Sequence, residues 1–421
     1  MMAAVCCVAA YAQSGTNSPY SQYGYGVLSD QSQGFSRGMN GVGLALRRGN
    51  AVNTLNPASY SAIDSLTMIF DVGLSGQITN FKEGNASVNA RNADFEYAVG
   101  CFRLMRNVGM SFGVLPMTNV GYSYSSTTRL ADNRGTIEET YEGDGGLHKV
   151  FIGAGWRIIK PLSVGFNAAY VWGGYDRDIV SSAGTDINSL VKSYEASVKT
   201  YHLDFGLQWQ QPLNKTDMLT LGATVGLGHK INADPECTII NINSLTTTPD
   251  TARFVISNGL SLPMTYGLGA AFSHKDQLTV ALDGTLQQWG GLDMPVYENG
   301  DYHLRSGLMK DRYKVNLGVD YVPNSMSRSL LERIHYRMGA GYATPYYKIN
   351  GQDGPKEISV SAGFGIPLQN GWNTRGNLRP VLNISAQWVN TSATGLIKEN
   401  MFRINIGLTF NERWFAKWKV D

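Results

Sequence analysis

The stretch Phe402-Arg403-Ile404-Asn405-Ile406-Gly407-Leu408-Thr409-Phe410 decides how the rest of this chain is read. Phe402, Ile404, Ile406, Leu408 and Phe410 fall on one side of a strand, and Arg403, Asn405, Gly407 and Thr409 on the other. Successive side chains of a strand point to opposite faces, so the segment is a ribbon with one oily and one polar surface. About nine residues of tilted strand cross a bilayer when strands close into a barrel.

The same two-residue period recurs upstream. Tyr201, Leu203, Phe205, Leu207 and Trp209 alternate with Thr200, His202, Asp204, Gly206 and Gln208. Leu219–Leu227, Tyr313–Tyr321 and Leu382–Trp388 repeat the pattern, with similar ribbons near 66–81, 94–104, 108–124, 150–159, 162–172, 266–273, 276–287, 334–342 and 358–366. Weaker candidates bring the expected total to about fourteen strands, an even number within the range of bacterial barrels. Alternation alone also fits a soluble sandwich with its oily face turned inward. Three details favour the membrane. Aromatics bracket the ribbons (Tyr201 and Trp209; Tyr313 and Tyr321), as at two lipid–water interfaces. Charged residues (Asp204, Asp283, Lys314, Asp320, Arg337) recur in mid-strand on the non-oily face. Connections are unequal: Ile159-Lys160-Pro161 is tight, while 126–147, 181–197 and 232–253 read as long polar loops.

Composition agrees. Among 421 residues, 35 are basic and 33 acidic, and net +2 gives no electrostatic basis for nucleic-acid binding. Charged residues make up 16%, against about a quarter in soluble domains. No apolar run reaches the roughly 18 residues of a spanning helix. Residues 1–12 end in Ala10-Tyr11-Ala12, a small-x-small pattern that resembles a signal-peptidase site with Gln13 as the mature terminus. The basic n-region is missing and the run is short, so either the true start lies upstream or the signal is atypical. Cleavage removes Cys6 and Cys7 and leaves Cys101 and Cys237, which match no zinc or redox spacing and whose pairing sequence separation does not decide.

No nucleophile elbow, His-Glu-x-x-His or phosphate-binding loop is present, and the six histidines are scattered without metal-ligand spacing. The chain reads as a non-enzyme without cofactor or metal. Pro116 is more informative. It sits inside the ribbon Met110–Thr118, near Gly113, and proline cannot donate to a strand ladder. Either it marks a bulge, kink or opening in the wall, or it begins a loop. Residues 13–62 lack alternation, offer at most a short helix around Gly41–Arg48, and end in the turn signal Asn56-Pro57-Ala58-Ser59. Such a segment is a disordered tail or packs inside something larger.

Ser36-Arg37-Gly38-Met39-Asn40-Gly41-Val42-Gly43, then Asn53-Thr54-Leu55-Asn56-Pro57-Ala58-Ser59, together with Leu115-Pro116 and Leu262–Gly269, resemble the FadL/TodX family of outer-membrane transporters for hydrophobic compounds. The resemblance implies an all-β transmembrane antiparallel β-barrel of about 14 strands (63–421), plugged by an N-terminal hatch (13–62) that carries Asn56, Pro57 and Ala58. It implies passive uptake of long-chain fatty acids or other oily molecules across the outer membrane of a Gram-negative bacterium. The hatch would rearrange and the ligand leave sideways at a kinked third strand, here at Gly113 and Pro116. The family's carboxylate-binding residues have no motif match; alternation alone makes Arg157, Lys314 and Arg337 lumen-facing candidates, or lumen residues paired with Asp204, Asp283 or Asp320. The residues after Phe410 (411–421) depart from the pattern, and either lie at the interface or engage a protein partner. The rival function is a non-transporting barrel that serves as a scaffold or docking component, for example in protein secretion. A barrel of this size acts as a monomer.

Overall fold

The computed structural model describes residues 15–65, 67–129, 136–183, 188–243, 249–275, 277–368 and 380–413. The expected signal segment 1–12 and the tail Trp414–Asp421 lie outside the described residues.

Fourteen antiparallel strands form one closed barrel: β1 (Thr67–Glu83), β2 (Ala86–Met105), β3 (Val108–Arg129), β4 (Thr136–Arg157), β5 (Leu162–Ala183), β6 (Asn188–Pro212), β7 (Asp217–Gly226), β8 (Thr265–His274), β9 (Leu278–Gln287), β10 (Arg312–Tyr321), β11 (His335–Ala343), β12 (Lys356–Pro367), β13 (Val381–Ser392) and β14 (Lys398–Arg413). Each pairs with its sequence neighbours, and β14 closes on β1 in a long ladder that sets Phe410 opposite Phe70 and Phe402 opposite Ile78. Closure gives every barrel strand a partner on both sides over at least part of its length, as a bilayer without competing water demands.

The last strand shows why the oily face points outward. Phe402, Ile404, Ile406 and Phe410 are 40–50% exposed, while Asn405 and Thr409 are buried. A soluble sandwich would reverse that pattern. Leu207, Leu221, Leu268, Leu282, Leu317, Met338, Val360 and Ile404 extend the exposed apolar surface around the barrel. Such an exterior is stable only in hydrocarbon, so the barrel spans a membrane. No described helix is long and apolar enough to cross one.

Two expectations change. The stretches 126–147, 181–197 and 232–253 are mostly strand rather than loop. β3, β4 and β5 have 22 residues each and β6 has 25, about twice what a tilted crossing needs. Their outer halves continue as a sheet with the short strands Glu236–Asn243 and Asp250–Val255. Past the membrane both faces are wet, so the ladder persists after the oily–polar alternation has gone. The short helix expected at Gly41–Arg48 is absent; the helical turn lies earlier, at Gly34–Arg37, and a 3-10 helix follows at Pro57–Ala62.

Residues 15–65 lie within the lumen, because their side chains and backbone reach strands on every side. Arg37 donates to Asn405 of β14, Asn40 to Ser359 of β12, and Tyr60 to Asn167 of β5, while Gly43 and Leu44 donate to Asp283 of β9. The polar lumen face of the strands therefore meets a polar plug rather than water.

Candidate functional site

The plug sits directly on glycine. At Gly109, Gly155, Gly165, Gly206 and Gly222, one on each of β3 to β7, a Cβ would lie closer than 3.0 Å to Tyr60, Pro57, Asn56 or Leu44 of the plug. On the far wall Gly318 and Gly339 meet Met39 in the same way. Glycine allows this close approach of two backbones, and no larger residue does. The Asn56-Pro57-Ala58 motif is the knot of this contact. Asn56 is extended (φ −137°), as a residue before proline must be, and its side chain caps the 3-10 helix by accepting from the Ala58 N–H at 3.1 Å. Its amide donates to the Leu44 carbonyl at 2.7 Å and the Leu207 carbonyl of β6 at 3.1 Å. Pro57 lies over Gly155, Gly165 and Gly206.

Ion pairs fix the other parts of the plug. Arg37 and Glu96 of β2 are both buried and meet at 2.9 Å. Arg48 pairs with Asp320 of β10, which also accepts from Arg337 of β11 at 3.2 Å. Burial opposes the charge on Asp30, yet Arg37, Lys314 and bonds from Ser32 hold its carboxyl well below the usual range. Burial and the neighbouring Arg157 pull the Arg47 guanidinium down to about 10.

Pro116 lies within β3, not in a loop, and the wall beside it is divided. Pairing between β2 and β3 runs from the turn only to Val99–Gly113 and Ala98–Val114. Beyond that rung β2 pairs with β1 alone, and β3 with β4 alone among the barrel strands. Both strands bulge where they part. The β1–β2 register shifts at Gly73/Leu74 and leaves Glu96 as an extra residue; the β3–β4 register shifts between Pro116 and Thr118 and leaves Met117 extra. Bulges bend and re-aim strands, and proline withholds the ladder donor.

The plug holds this split. Arg37 grips Glu96, and the Gly34 N–H donates to the hydroxyl of Tyr97 at 2.6 Å. Gln31 donates to the Pro116 carbonyl at 2.6 Å, and the Ser29 N–H to the Met117 carbonyl at 2.9 Å. Val27 and Leu28 pair antiparallel with Asn119 and Thr118 on the free edge of β3. A side-chain bond, from Asn119 to Asp94 of β2 at 3.2 Å, spans the gap above.

Val27–Asp30 thus form a strap along the free edge of β3, and two cavities flank it. One of about 170 Å³ is mixed, with Gln77, Asp94, Glu96, Asn119 and Arg403 facing Phe81, Tyr346, Tyr347 and Val389. The other, of about 240 Å³, lies behind Met117 and Thr118 and mixes apolar walls (Tyr25, Leu55, Leu147, Leu262, Trp289) with Lys149, Asp204 and Asp283. Leu28, Ser29 and Asp30 line both, as do Arg312 and Lys314. The three cation candidates thus separate. Lys314 faces both cavities and makes no salt bridge among the described residues. Arg337 is committed to Asp320 and Asn383. Arg157 stands at the end of β4, remote from both cavity linings, and donates to the Ser61 carbonyl of the plug at 3.4 Å.

Asp30, Arg37, Arg47, Glu96 and the wall glycines were not singled out by the sequence, because each acts through a partner far away in the chain. The abundance of glycine was the one visible signal. Cys101 and Cys237 are both buried and unpaired. Among the described residues, no group of three or more His, Cys, Asp or Glu is arranged to hold a metal.

Comparison with known structures places this fold. The chain superposes on a Pseudomonas aeruginosa FadL homologue with a TM-score of 0.64 at 10% identity, covering 91% of this chain and 99% of that one. The Ralstonia pickettii toluene transporter TbuX gives 0.61 at 15% identity, covering 91% and 99%. The Pseudomonas putida toluene transporter TodX gives 0.61 at 14%, covering 94% and 99%. At such identities the likeness is one of fold: a FadL-like barrel. No curated protein matches the chain by sequence. A family profile described as BamG matches it from residue 1 to residue 421, end to end, and the chain therefore belongs to the BamG family.

Proposed function

We propose that this chain is a monomeric outer-membrane barrel that admits small hydrophobic molecules to the cavity beside its plug and releases them sideways between β2 and β3. The observation that carries this reading is the end of β2–β3 pairing at Ala98–Val114, with a partly apolar cavity that reaches Met117 and Thr118 of β3 a few residues beyond. An oily solute gains nothing from a water-filled pore, whereas a pocket that opens towards lipid keeps its surface out of water. The strap Val27–Asp30 is the part of the hatch that moves. It separates the two cavities and covers the free edge of β3, and it is preceded by Gly24 and Gly26 in the left-handed region. Residues beyond Gly34 are clamped by the glycine belt and the ion pairs. Long-chain fatty acids are the cargo class to test first, with Lys314 as the carboxylate partner.

The test joins cysteines at Asp94 and Asn119 with a reducible cross-linker, in vesicles that report entry of the hydrophobic dye N-phenylnaphthylamine. The native barrel passes the dye, cross-linking stops it, and reduction restores it. Undiminished passage in the cross-linked barrel would sink the lateral route.

The fit of the plug favours a second reading, a scaffold or docking barrel whose filled lumen is permanent. At 14–15% identity to the toluene transporters it superposes on, the chain shares their fold alone, which leaves this reading open. The long outer halves of β3–β6 and the chain after Phe410 would then be the contact surfaces. A native barrel that passes no dye selects this reading.

A further inference from the structure

Arg47 and Arg157 are neighbouring guanidinium groups without a carboxylate. Arg47 donates to Ser61 Oγ at 2.9 Å and Ser163 Oγ at 2.7 Å, and Arg157 to the Ser61 carbonyl at 3.4 Å. Both thus converge on one plug residue, and neither makes a salt bridge among the described residues. The Arg157 Nε is buried with no acceptor. Two half-buried like charges repel, and each loses hydration, so the arrangement is unfavourable unless an anion completes it. The two fully buried arginines of the plug-wall contact each have an acid, Arg37 with Glu96 and Arg337 with Asp320, whereas the half-buried Arg177 stands alone among the described residues and donates to the Gly24 carbonyl at 2.7 Å.

The position narrows the ligand. Arg157 closes β4, immediately before the tight turn 158–161 to β5, and Ser163 lies just after that turn. This is the end of the barrel where β1 starts and β14 finishes, opposite the long outer sheet. Arg103, Arg106, Lys160 and Lys215 lie at the short turns of the same end, so its field attracts anions. Guanidinium pairs bind planar or tetrahedral oxyanions through forked, charge-assisted hydrogen bonds.

We infer that Arg47 and Arg157, with Ser61 and Ser163, form an oxyanion site at the turn end of the lumen, which takes a phosphate group. The phosphate ties the plug residue Ser61 to the β4–β5 turn and neutralises the pair. It comes either from the head group of an anionic phospholipid or from free phosphate.

Two arms separate these sources, using the full chain released in detergent. In the first, native mass spectrometry follows titration with phosphatidylglycerol against phosphatidylcholine. In the second, thermal unfolding is followed in inorganic phosphate against chloride at equal ionic strength. One saturable phosphatidylglycerol adduct, weakened at least tenfold (about 1.4 kcal/mol) in Arg47→Gln/Arg157→Gln and partly regained in Arg47→Lys/Arg157→Lys, identifies the lipid. Stabilisation by inorganic phosphate that the Gln pair loses, without a lipid adduct, identifies the free anion. If neither anion binds, or the Gln pair binds both as tightly as the native chain, the site does not exist. The Lys pair keeps the charge, so a folding defect of the Gln pair alone cannot imitate the first two results.

Discussion

Gly109, Gly155, Gly165, Gly206 and Gly222 show what single residues decide in this molecule. A methyl group at Gly109 or Gly222 would strike the Tyr60 or Leu44 carbonyl, backbone that cannot turn aside. Gly109→Ala and Gly222→Ala should each destabilise the plug by about 1–3 kcal/mol, the usual range for overpacking. Gly76→Ala, where nothing lies within 4 Å, should be neutral. Limited proteolysis of the refolded barrel checks this through cleavage in residues 15–65. Arg37→Met strands Glu96 and should cost about 3–5 kcal/mol, with much of it regained in Arg37→Met/Glu96→Leu. Chemical unfolding of the native chain and the two variants measures both steps. The sequence shows that glycine is abundant but not why: a glycine's reason is whatever approaches it, and here that lies dozens to hundreds of residues away.

At the scale of the element, β3 carries most of the consequence. Its first seven residues pair on both sides, and its remainder relies on β4, the strap and Pro116. Pro116→Ala supplies an amide hydrogen where the ladder has none. It should lengthen β2–β3 pairing, slow dye passage severalfold and leave barrel insertion intact. Faster passage would mean that the proline is not what holds the strands apart. Strand positions were legible wherever one face is lipid and the other is lumen, as in Tyr201–Trp209 and Phe402–Phe410. They were misread at 126–147 and 181–197, where both faces meet water and periodicity carries no information. Pro116 was legible as an anomaly in a strand. The divergence of β2 was not, because the bulge at Glu96 exists only through its pairing with Arg37 and β1.

At the scale of the whole molecule, a fourteen-strand wall and a fitted plug make one body with two cavities beside the strap. Removing residues 13–62 should leave a barrel that still inserts, because all fourteen strands and the lipid-facing belt remain. It should also convert a silent protein into an ion-conducting pore in planar bilayers, since the exposed lumen is polar. A deletion that inserts yet stays silent would show that the strands collapse inward without the plug. The closed barrel could be read from the alternating ribbons. The split, the strap and the paired arginines could not, since each is a meeting of segments rather than a property of one.

The most direct test of the account is native mass spectrometry of the detergent-released chain titrated with hexadecanoate. The account predicts one saturable adduct, which is lost when Leu147→Trp fills the cavity behind Met117 and Thr118. An unsaturable series of adducts, or none at all, would contradict a hydrophobic-ligand site beside the plug and leave the docking barrel as the function.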